Sequence, residues 1–181
     1  MSGTFSIVSA LANPMDELTD DLQHFYENFG LTVYAAQALE IDALNLLLCL
    51  RKMDALLSPP GDLKALERGL RRKTLGSLVR QISAEVAFDE HSQTLLLHAL
   101  EERNYLLHHF VTDHAAEVMI PEGRGRLADK FDRSREVFKK AQAICQGLCW
   151  KILKALGIGP EVIKQELAKL LDDARRDLAS G

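Results

Sequence analysis

Apolar residues recur every three or four positions along most of the chain, which is the spacing of amphipathic helices. No segment alternates apolar and polar residues with period two between turn signals, so we predict no β-sheet. The pattern therefore predicts an all-α fold, an up-and-down helical bundle of about four to five main helices. The predicted helices cover about residues 14–28, 31–57, 63–70, 74–83, 89–119, 127–156 and 160–178.

Turn and capping residues separate the predicted helices. The "NFG" stretch is expected to end the first helix. "SPPGD" is expected to end the helix over residues 31–57, and "IPEGRGR" the helix over residues 89–119. Thr74 and Asp89 have side chains that can cap a helix N-terminus. Gly157 is a candidate C-cap residue, and Pro160 fits the first turn of the last helix. The segments are thus bounded by residues whose chemistry favours helix ends.

The length predicts a single domain with a helical extension. We expect residues 1–157 to form the bundle, with the first 14 residues irregular and mobile. Residues 158–181 are expected to form an amphipathic helix that extends the same domain. The sequence leaves open whether this helix docks against the bundle or serves as an interaction arm.

Charge and hydropathy narrow the class of protein. With 181 residues, 47% of them hydrophobic, the chain can build a core, and its net charge of −4 argues against a broad phosphate-binding surface. The segment "ERGLRRKTLGSLVR" has two interpretations, a local basic patch or a solvated helix face.

The N-terminus does not resemble a signal peptide, and the longest apolar run, residues 46–50, is too short to span a bilayer. We expect a cytoplasmic protein with no membrane partner.

Three cysteines, Cys49, Cys145 and Cys149, lie in apolar contexts. Their number is odd, no CxxC motif is present, and no histidine or second cysteine pair completes a zinc-binding set. We interpret them as buried thiols, and we expect no metal and no cofactor.

An arginine interrupts the apolar stripe of the predicted helix 89–119. At about 100° per residue, Arg103 falls near the middle of the stripe. A guanidinium stays charged in a protein, so its burial requires a carboxylate, several acceptors or a wet cleft. Asn104 and His108, four residues apart, share one edge of the stripe, whereas His109 lies elsewhere beside Tyr105.

Glu40 is the complementary residue on the predicted helix 31–57, where it is the only charge in its stripe. Its neighbours Ala36 and Ala43 are small and would let another helix approach. We predict that Glu40 pairs with Arg103. The residues alone leave three interpretations open: an ion pair that fixes the register of the bundle, a polar binding notch, or a catalytic site.

The stretch "RNYLLH", Arg103 to His108, resembles the R-X4-6-H motif of the HEPN superfamily, in which a polar residue follows the arginine. The arrangement of "VYAAQALEIDALNLLL", then "TLGSL", then the motif on a long helix is similar to bacterial HEPN-like proteins. The resemblance covers about residues 30 to 155. Members are helical bundles, and many are metal-independent endoribonucleases of toxin–antitoxin and defence systems.

The resemblance implies a function for these residues. Arg103 and His108 would line a cleft between the two protomers of a homodimer, with Asn104, Glu40 and His109 in supporting positions. Histidine suits acid–base chemistry near neutrality, and arginine binds phosphate through a planar fork, as RNA cleavage by the 2′-hydroxyl requires. RNA would be the substrate, and an antitoxin or regulatory protein a further partner.

Three features depart from the family pattern. Some toxins of the family have a tyrosine two residues after the histidine, which a partner enzyme modifies, and this chain has Phe110 there. His109 also satisfies the motif spacing, although His108 shares the edge of Asn104. The net charge is acidic, and many members are non-catalytic, so the alternative is a helical RNA-binding or regulatory protein of the same fold.

Overall fold

A computed structural model describes residues 20–56 and 63–180 of the chain. Within these ranges it contains seven helices and no strand, which confirms the predicted all-α class. The helices are α1 (Asp20–Leu56), α2 (Leu63–Leu70), α3 (Leu75–Glu85), α4 (Glu90–His108), α5 (Phe110–Val118), α6 (Pro121–Ala155) and α7 (Pro160–Ser180).

The two longest helices, α1 and α6, pack against each other along most of their length. Contacts between them advance in the same direction along both helices, so α1 and α6 run parallel. These contacts pair Asp21 with Arg124, Thr32 with Arg135, and Asp42 with Gln146. The buried residues between them are mainly aliphatic and aromatic, and their burial is the main source of stability of the bundle.

Helix α4 crosses the same surface in the opposite direction. Ser134 on α6 donates a 2.8 Å hydrogen bond to Glu102, and Lys130, one turn earlier on α6, lies 4.2 Å from the centre of the Tyr105 ring. The order of these contacts makes α4 antiparallel to α6, and therefore to α1. Helix α3 packs on both α1 and α4. One edge of α4 faces α1, and another edge faces α6.

The predicted break at residues 28–30 is wrong, because α1 continues through Gly30. The side chain of Asn28 donates to the His24 carbonyl at 3.0 Å, and Thr32 donates to the Asn28 carbonyl at 2.8 Å, so both bonds follow the helix. A glycine inside a helix costs roughly 1 kcal/mol. Gly30 lies on the exposed side of α1, and the burial of Phe25 on the core-facing side offsets that cost. The predicted helix start near residues 14–16 lies outside the described residues.

The predicted single helix over residues 89–119 is also wrong, because it is divided at His109. Backbone angles of φ −123° and ψ −31° at His109 end α4 and start α5 in a new direction. The bend turns Phe110 into the core, where its ring centre lies 5.5 Å from that of Phe29 and 5.0 Å from that of Phe131. Packing of one aromatic ring therefore outweighs continuation of the helix.

Helix α6 begins at Pro121, six residues before the predicted start at 127. Proline fits the first turn of a helix, where its missing N–H has no partner in any case. Gly123 follows in a tight position, since a Cβ atom added there would lie 2.1 Å from the Glu117 carbonyl oxygen. The "IPEGRGR" stretch therefore forms a sharp α5–α6 turn and the first turns of α6, and not a loop.

The predicted caps are confirmed. The Thr74 side chain accepts a hydrogen bond from the Ser77 N–H at 3.4 Å, and Asp89 accepts one from the Ser92 N–H at 2.8 Å. Gly157 adopts a φ of +74° just past the end of α6, a conformation that glycine reaches without strain.

The last helix, α7, begins at Pro160 as predicted, but it does not bury its apolar stripe. Leu167, Leu170 and Leu178 are exposed, the last to 85% of its surface. In the described structure α7 is therefore an extension whose apolar side faces outward.

Helix α1 has the length and composition of a possible membrane span, with a mean hydropathy of 1.4 over its most apolar window. The core helix of a soluble protein meets the same test. Ala36, Leu39 and Leu46 on α1 are almost completely buried in the bundle. In all, 39% of that apolar window is buried inside the bundle.

Candidate functional site

The predicted ion pair between α1 and α4 is present. Arg103 Nη2 donates to Glu40 Oε2 at 3.1 Å, and the two side chains are only 17% and 28% exposed. Ala36 and Ala43, one turn before and after Glu40, are completely buried, in keeping with the expected close approach of neighbouring helices. A carboxylate thus compensates the charge that interrupts the apolar stripe of α4.

Asn104 completes the contacts of the guanidinium. Arg103 Nη1 donates to Asn104 Oδ1 at 3.1 Å, so the amide oxygen of an exposed side chain orients the arginine next to it. A guanidinium carries five N–H donors. The two contacts use one donor on each terminal nitrogen, which leaves three N–H groups that could bind an anion.

His108 is the last residue of α4, and its side chain is exposed. Among the described residues its imidazole makes no hydrogen bond, and its only ring neighbour is His109, with ring centres 6.5 Å apart. Both ring nitrogens of His108 are therefore open to solvent or to a ligand. An open imidazole can take up or release a proton, which is the property that acid–base chemistry requires.

The structure does not bring Arg103 and His108 into contact. Five positions on a helix separate two side chains by about 7.5 Å along the axis and about 140° around it. Asn104 lies between the two in angle, four residues before His108. Within one protomer, Glu40, Arg103 and Asn104 form one hydrogen-bonded group, and His108 stands apart at the end of the helix.

His109 occupies the bend between α4 and α5. Its ring is exposed and lies 6.4 Å from the Tyr105 ring, on the opposite side of α4 from Asn104. His109 thus lies beside Tyr105 as predicted, but its ring is also 6.5 Å from that of His108, so the two histidines are neighbours at the end of α4.

A second polar cluster, not predicted from the sequence, lies between α4, α5 and α6. His114 is its centre, with a side chain only 16% exposed. The Tyr105 hydroxyl lies 2.8 Å from His114 Nε2, Lys130 Nζ lies 3.2 Å from the same nitrogen, and Glu117 Oε1 lies 2.9 Å from Nδ1. Both ring nitrogens of His114 are thus occupied.

These contacts fix the tautomer of His114. The ammonium group of Lys130 can only donate, so Nε2 accepts and the ring proton is on Nδ1. That N–H donates to Glu117, which holds the pKa of the Glu117 carboxyl below its usual range; burial opposes the shift, and the charge of Arg126 adds to it. The cluster is internally satisfied, which is typical of a structural network.

The sequence contained only a weak signal for this cluster. His114 continues the apolar stripe that includes Phe110, and Tyr105 lies on its polar border. Lys130 comes from α6, whose start was predicted six residues too late, and the contact depends on the bend at His109. No periodicity in the sequence encodes that bend.

Within residues 20–56 and 63–180, no group of three or more histidine, cysteine, aspartate or glutamate side chains is placed so that it could hold a metal ion. Comparison with known protein families, curated proteins and solved structures gave no match for this chain. The candidate site therefore rests on its own residues and geometry.

Proposed function

We propose that this chain is a metal-independent endoribonuclease of the HEPN type, with a composite active site at a homodimer interface. The proposal rests on the different environments of two side chains on α4, Arg103 and His108. Arg103 is fixed by Glu40 and Asn104 and keeps three N–H donors, whereas His108 has an open imidazole. We place the protein in a bacterial cytoplasm, as a toxin or defence effector.

The separation of Arg103 from His108 supports the composite form of the site. A single phosphate contacts groups within about 3 Å, so it cannot bridge two side chains on different sides of one helix. A two-fold axis near Arg103 and His108 on α4 would bring the His108 of one protomer towards the Arg103 of the other. The dimer would then contain two acid–base groups and two phosphate-binding groups.

The proposed reaction uses only these side chains. His108 of one protomer accepts the proton of the RNA 2′-hydroxyl, whose oxygen attacks the adjacent phosphorus. The second His108 donates a proton to the departing 5′-oxygen. The N–H groups of Arg103 bind the phosphoryl oxygens, where negative charge grows in the transition state. The products would be a 2′,3′-cyclic phosphate and a 5′-hydroxyl.

The test is cleavage of single-stranded RNA by purified protein in EDTA. The wild type should cleave, and His108→Ala should lower the rate by about 10²–10⁴-fold. His91→Ala, an exposed histidine on the first turn of α4, is the matched control and should cleave normally. His109→Ala tests the alternative histidine. Intact RNA across a broad substrate set, from a protein that forms a clean dimer, would reject the proposal.

Mixed dimers test the composite site separately. Arg103→Ala and His108→Ala chains, each inactive alone, are co-expressed with different tags, and the mixed dimer is purified. It contains one intact arginine and one intact histidine on different chains, so partial activity is expected. If the site were built within one protomer, the mixed dimer would have no activity.

Growth inhibition on expression tests the toxin role, with the wild type compared to the Arg103→Ala/His108→Ala double variant.

The alternative function is a non-catalytic RNA-binding or regulatory protein of the same fold, with an antitoxin or other protein as its partner. The low exposure of Arg103 favours it, because a buried arginine paired with a glutamate fixes helix register without any ligand. RNA binding without cleavage, unchanged by His108→Ala, would support this alternative. Because the chain is acidic overall, its RNA affinity would come from local basic residues, and the salt dependence would scale with the number of phosphates that they contact.

A further inference from the structure

The three cysteines cluster near the C-terminal ends of α1 and α6, and they differ in their surroundings. Cys49 on α1 and Cys145 on α6 are buried, whereas Cys149 on α6 is half-exposed, which corrects the expectation that all three are buried. Cys49 Sγ and Cys149 Sγ lie 3.0 Å apart, although 100 residues separate them in the chain. A disulfide bond of about 2.05 Å would need the sulfurs to approach by only about 1 Å.

The contact between the sulfurs favours ionisation of one of them. A hydrogen bond from Cys149 lowers the pKa of Cys49 to about 7; burial opposes the shift, and the positive charge of Lys52 adds to it. The same hydrogen bond raises the pKa of Cys149, as do burial and the charge of Asp42. The hydrogen bond between the thiols thus shifts the two pKa values in opposite directions, and the charges of Lys52 and Asp42 add to the difference. Cys49 is therefore the nucleophile of the pair.

Cys145 does not belong to the reactive pair. Burial, with a smaller effect from Asp42, raises the pKa of its thiol to about 12. Its side chain is 1% exposed, one turn before Cys149 on α6. At neutral pH Cys145 therefore stays a protonated thiol, and it is less accessible to an oxidant than Cys49, which is 9% exposed.

We propose that Cys49 and Cys149 are a peroxide-sensitive modification site that forms a reversible disulfide between α1 and α6. The Cys49 thiolate attacks one oxygen of the peroxide, the O–O bond breaks, and the departing oxygen leaves as water after protonation. Cys49 is then a sulfenic acid. The Cys149 sulfur attacks the Cys49 sulfur, the S–O bond breaks, and the hydroxyl leaves with the Cys149 proton as a second water. Two thiols lose two electrons, and the peroxide is reduced to two waters.

The position of the pair gives the disulfide a large expected effect. It would close a loop of about 100 residues, and long loops lose the most unfolded-chain entropy on closure. It would also join α1 and α6, the two helices that pack most extensively, near their C-terminal ends. Cys49 lies nine residues after Glu40 on α1. Oxidation should therefore make the bundle more resistant to unfolding without rearranging it.

The experiment treats the purified full chain with hydrogen peroxide and counts thiols by alkylation and mass spectrometry. Two of the three thiols should be lost, a linked peptide should join Cys49 to Cys149, and a dithiol reductant should restore both. The melting temperature of the oxidised chain should rise by about 5–15 °C. The oxidation rate should increase with pH through a midpoint near 7, the pKa of Cys49.

Variants separate this site from general oxidation. Cys149→Ser should prevent the linked peptide and leave Cys49 as an over-oxidised acid, whereas Cys145→Ser should form the disulfide normally. Because a buried serine can destabilise the core, each variant is first checked by circular dichroism, and Cys149→Ala serves as a second variant. Three intact thiols after peroxide treatment, or a disulfide through Cys145 or between chains, would overturn the proposal.

Discussion

Helix α4 has polar residues on two edges, and each group of polar residues is near a histidine in a different environment. On the edge that faces α1, Arg103 bonds to Glu40 and Asn104. His108 lies apart from this group, at the C-terminal end of α4, with an open ring. On the edge that faces α6, Tyr105 bonds across the bend at His109 to His114, which in turn bonds to Glu117 on the same helix α5.

His114 and His108 differ in whether their ring nitrogens can act on a ligand. A histidine with both nitrogens occupied cannot bind a substrate or exchange a proton without breaking its own contacts, so His114 is suited to holding α5 in place. A histidine with two open nitrogens contributes little to stability and can act on a ligand. We therefore assign the His114 cluster to structure, and we assign Arg103 and the open His108 to the candidate site.

The largest expected effect comes from Gly123, which sets the distance between α5 and α6. Gly123→Ala adds a Cβ atom 2.1 Å from the Glu117 carbonyl oxygen, so the backbone must shift, at a cost of about 3 kcal/mol. Urea unfolding measures the loss of stability. Histidine NMR signals should move for His114 and stay unchanged for His108.

Gly125→Ala is the matched control, since nothing lies within 4 Å of a Cβ atom added there. It should be neutral or stabilise the chain by up to about 1 kcal/mol, because alanine favours a helix over glycine. Equal effects of the two substitutions would show that the α5–α6 contact does not constrain the His114 network.

An intermediate effect is expected for the Glu40–Arg103 pair. Glu40→Ala and Arg103→Ala should each destabilise the chain by about 1–2 kcal/mol, since each leaves a partly buried charge without its partner. The double variant should be more stable than the sum predicts, by about 1 kcal/mol. The exposed Glu161–Lys164 pair on α7 is the control and should couple by only about 0.3–0.5 kcal/mol. Coupling no larger than in the control would contradict a structural role for the pair.

The smallest effect concerns pH and the α6 edge. The hydrogen bond from His114 holds the pKa of Glu117 below its ordinary value of 4.5, so the ionised carboxylate stabilises the fold at neutral pH. That stability is present above pH 4.5 and is lost as the pH falls through the lower folded-state pKa. The melting temperatures of wild type and Glu117→Gln should therefore converge between pH 6 and pH 3. Glu101→Gln, an exposed carboxylate on α4, should show no such convergence.

Several features were predictable because they depend on neighbours along the chain. Asp89 and Thr74 were identified as N-caps because a short polar side chain reaches an N–H two or three residues ahead. The Glu40–Arg103 pair was predicted from two charges, each alone in its apolar stripe. A lone buried charge needs a partner of opposite sign, so the choice of partner was narrow.

Other features were not predictable because distant residues decide them. Gly30 suggested a helix break, but burial of Phe25 and Phe29 keeps α1 continuous. The bend at His109 exists because Phe110 packs between Phe29 and Phe131, which come from two other helices. Local propensity is worth up to about 1 kcal/mol per residue, whereas burying an aromatic side chain is worth more.

The sequence by itself determined the helical class, most helix ends and the isolation of Arg103 within an apolar stripe, since all three follow from spacing and capping along one chain. Only the tertiary structure decided that Arg103 and His108 lie apart, that His114 is enclosed by Tyr105 and Glu117, and that Cys49 meets Cys149 across 100 residues. Those outcomes depend on the parallel packing of α1 and α6 and on the bend at His109. Burial energies summed over several helices set both, and no local segment of the sequence contains them.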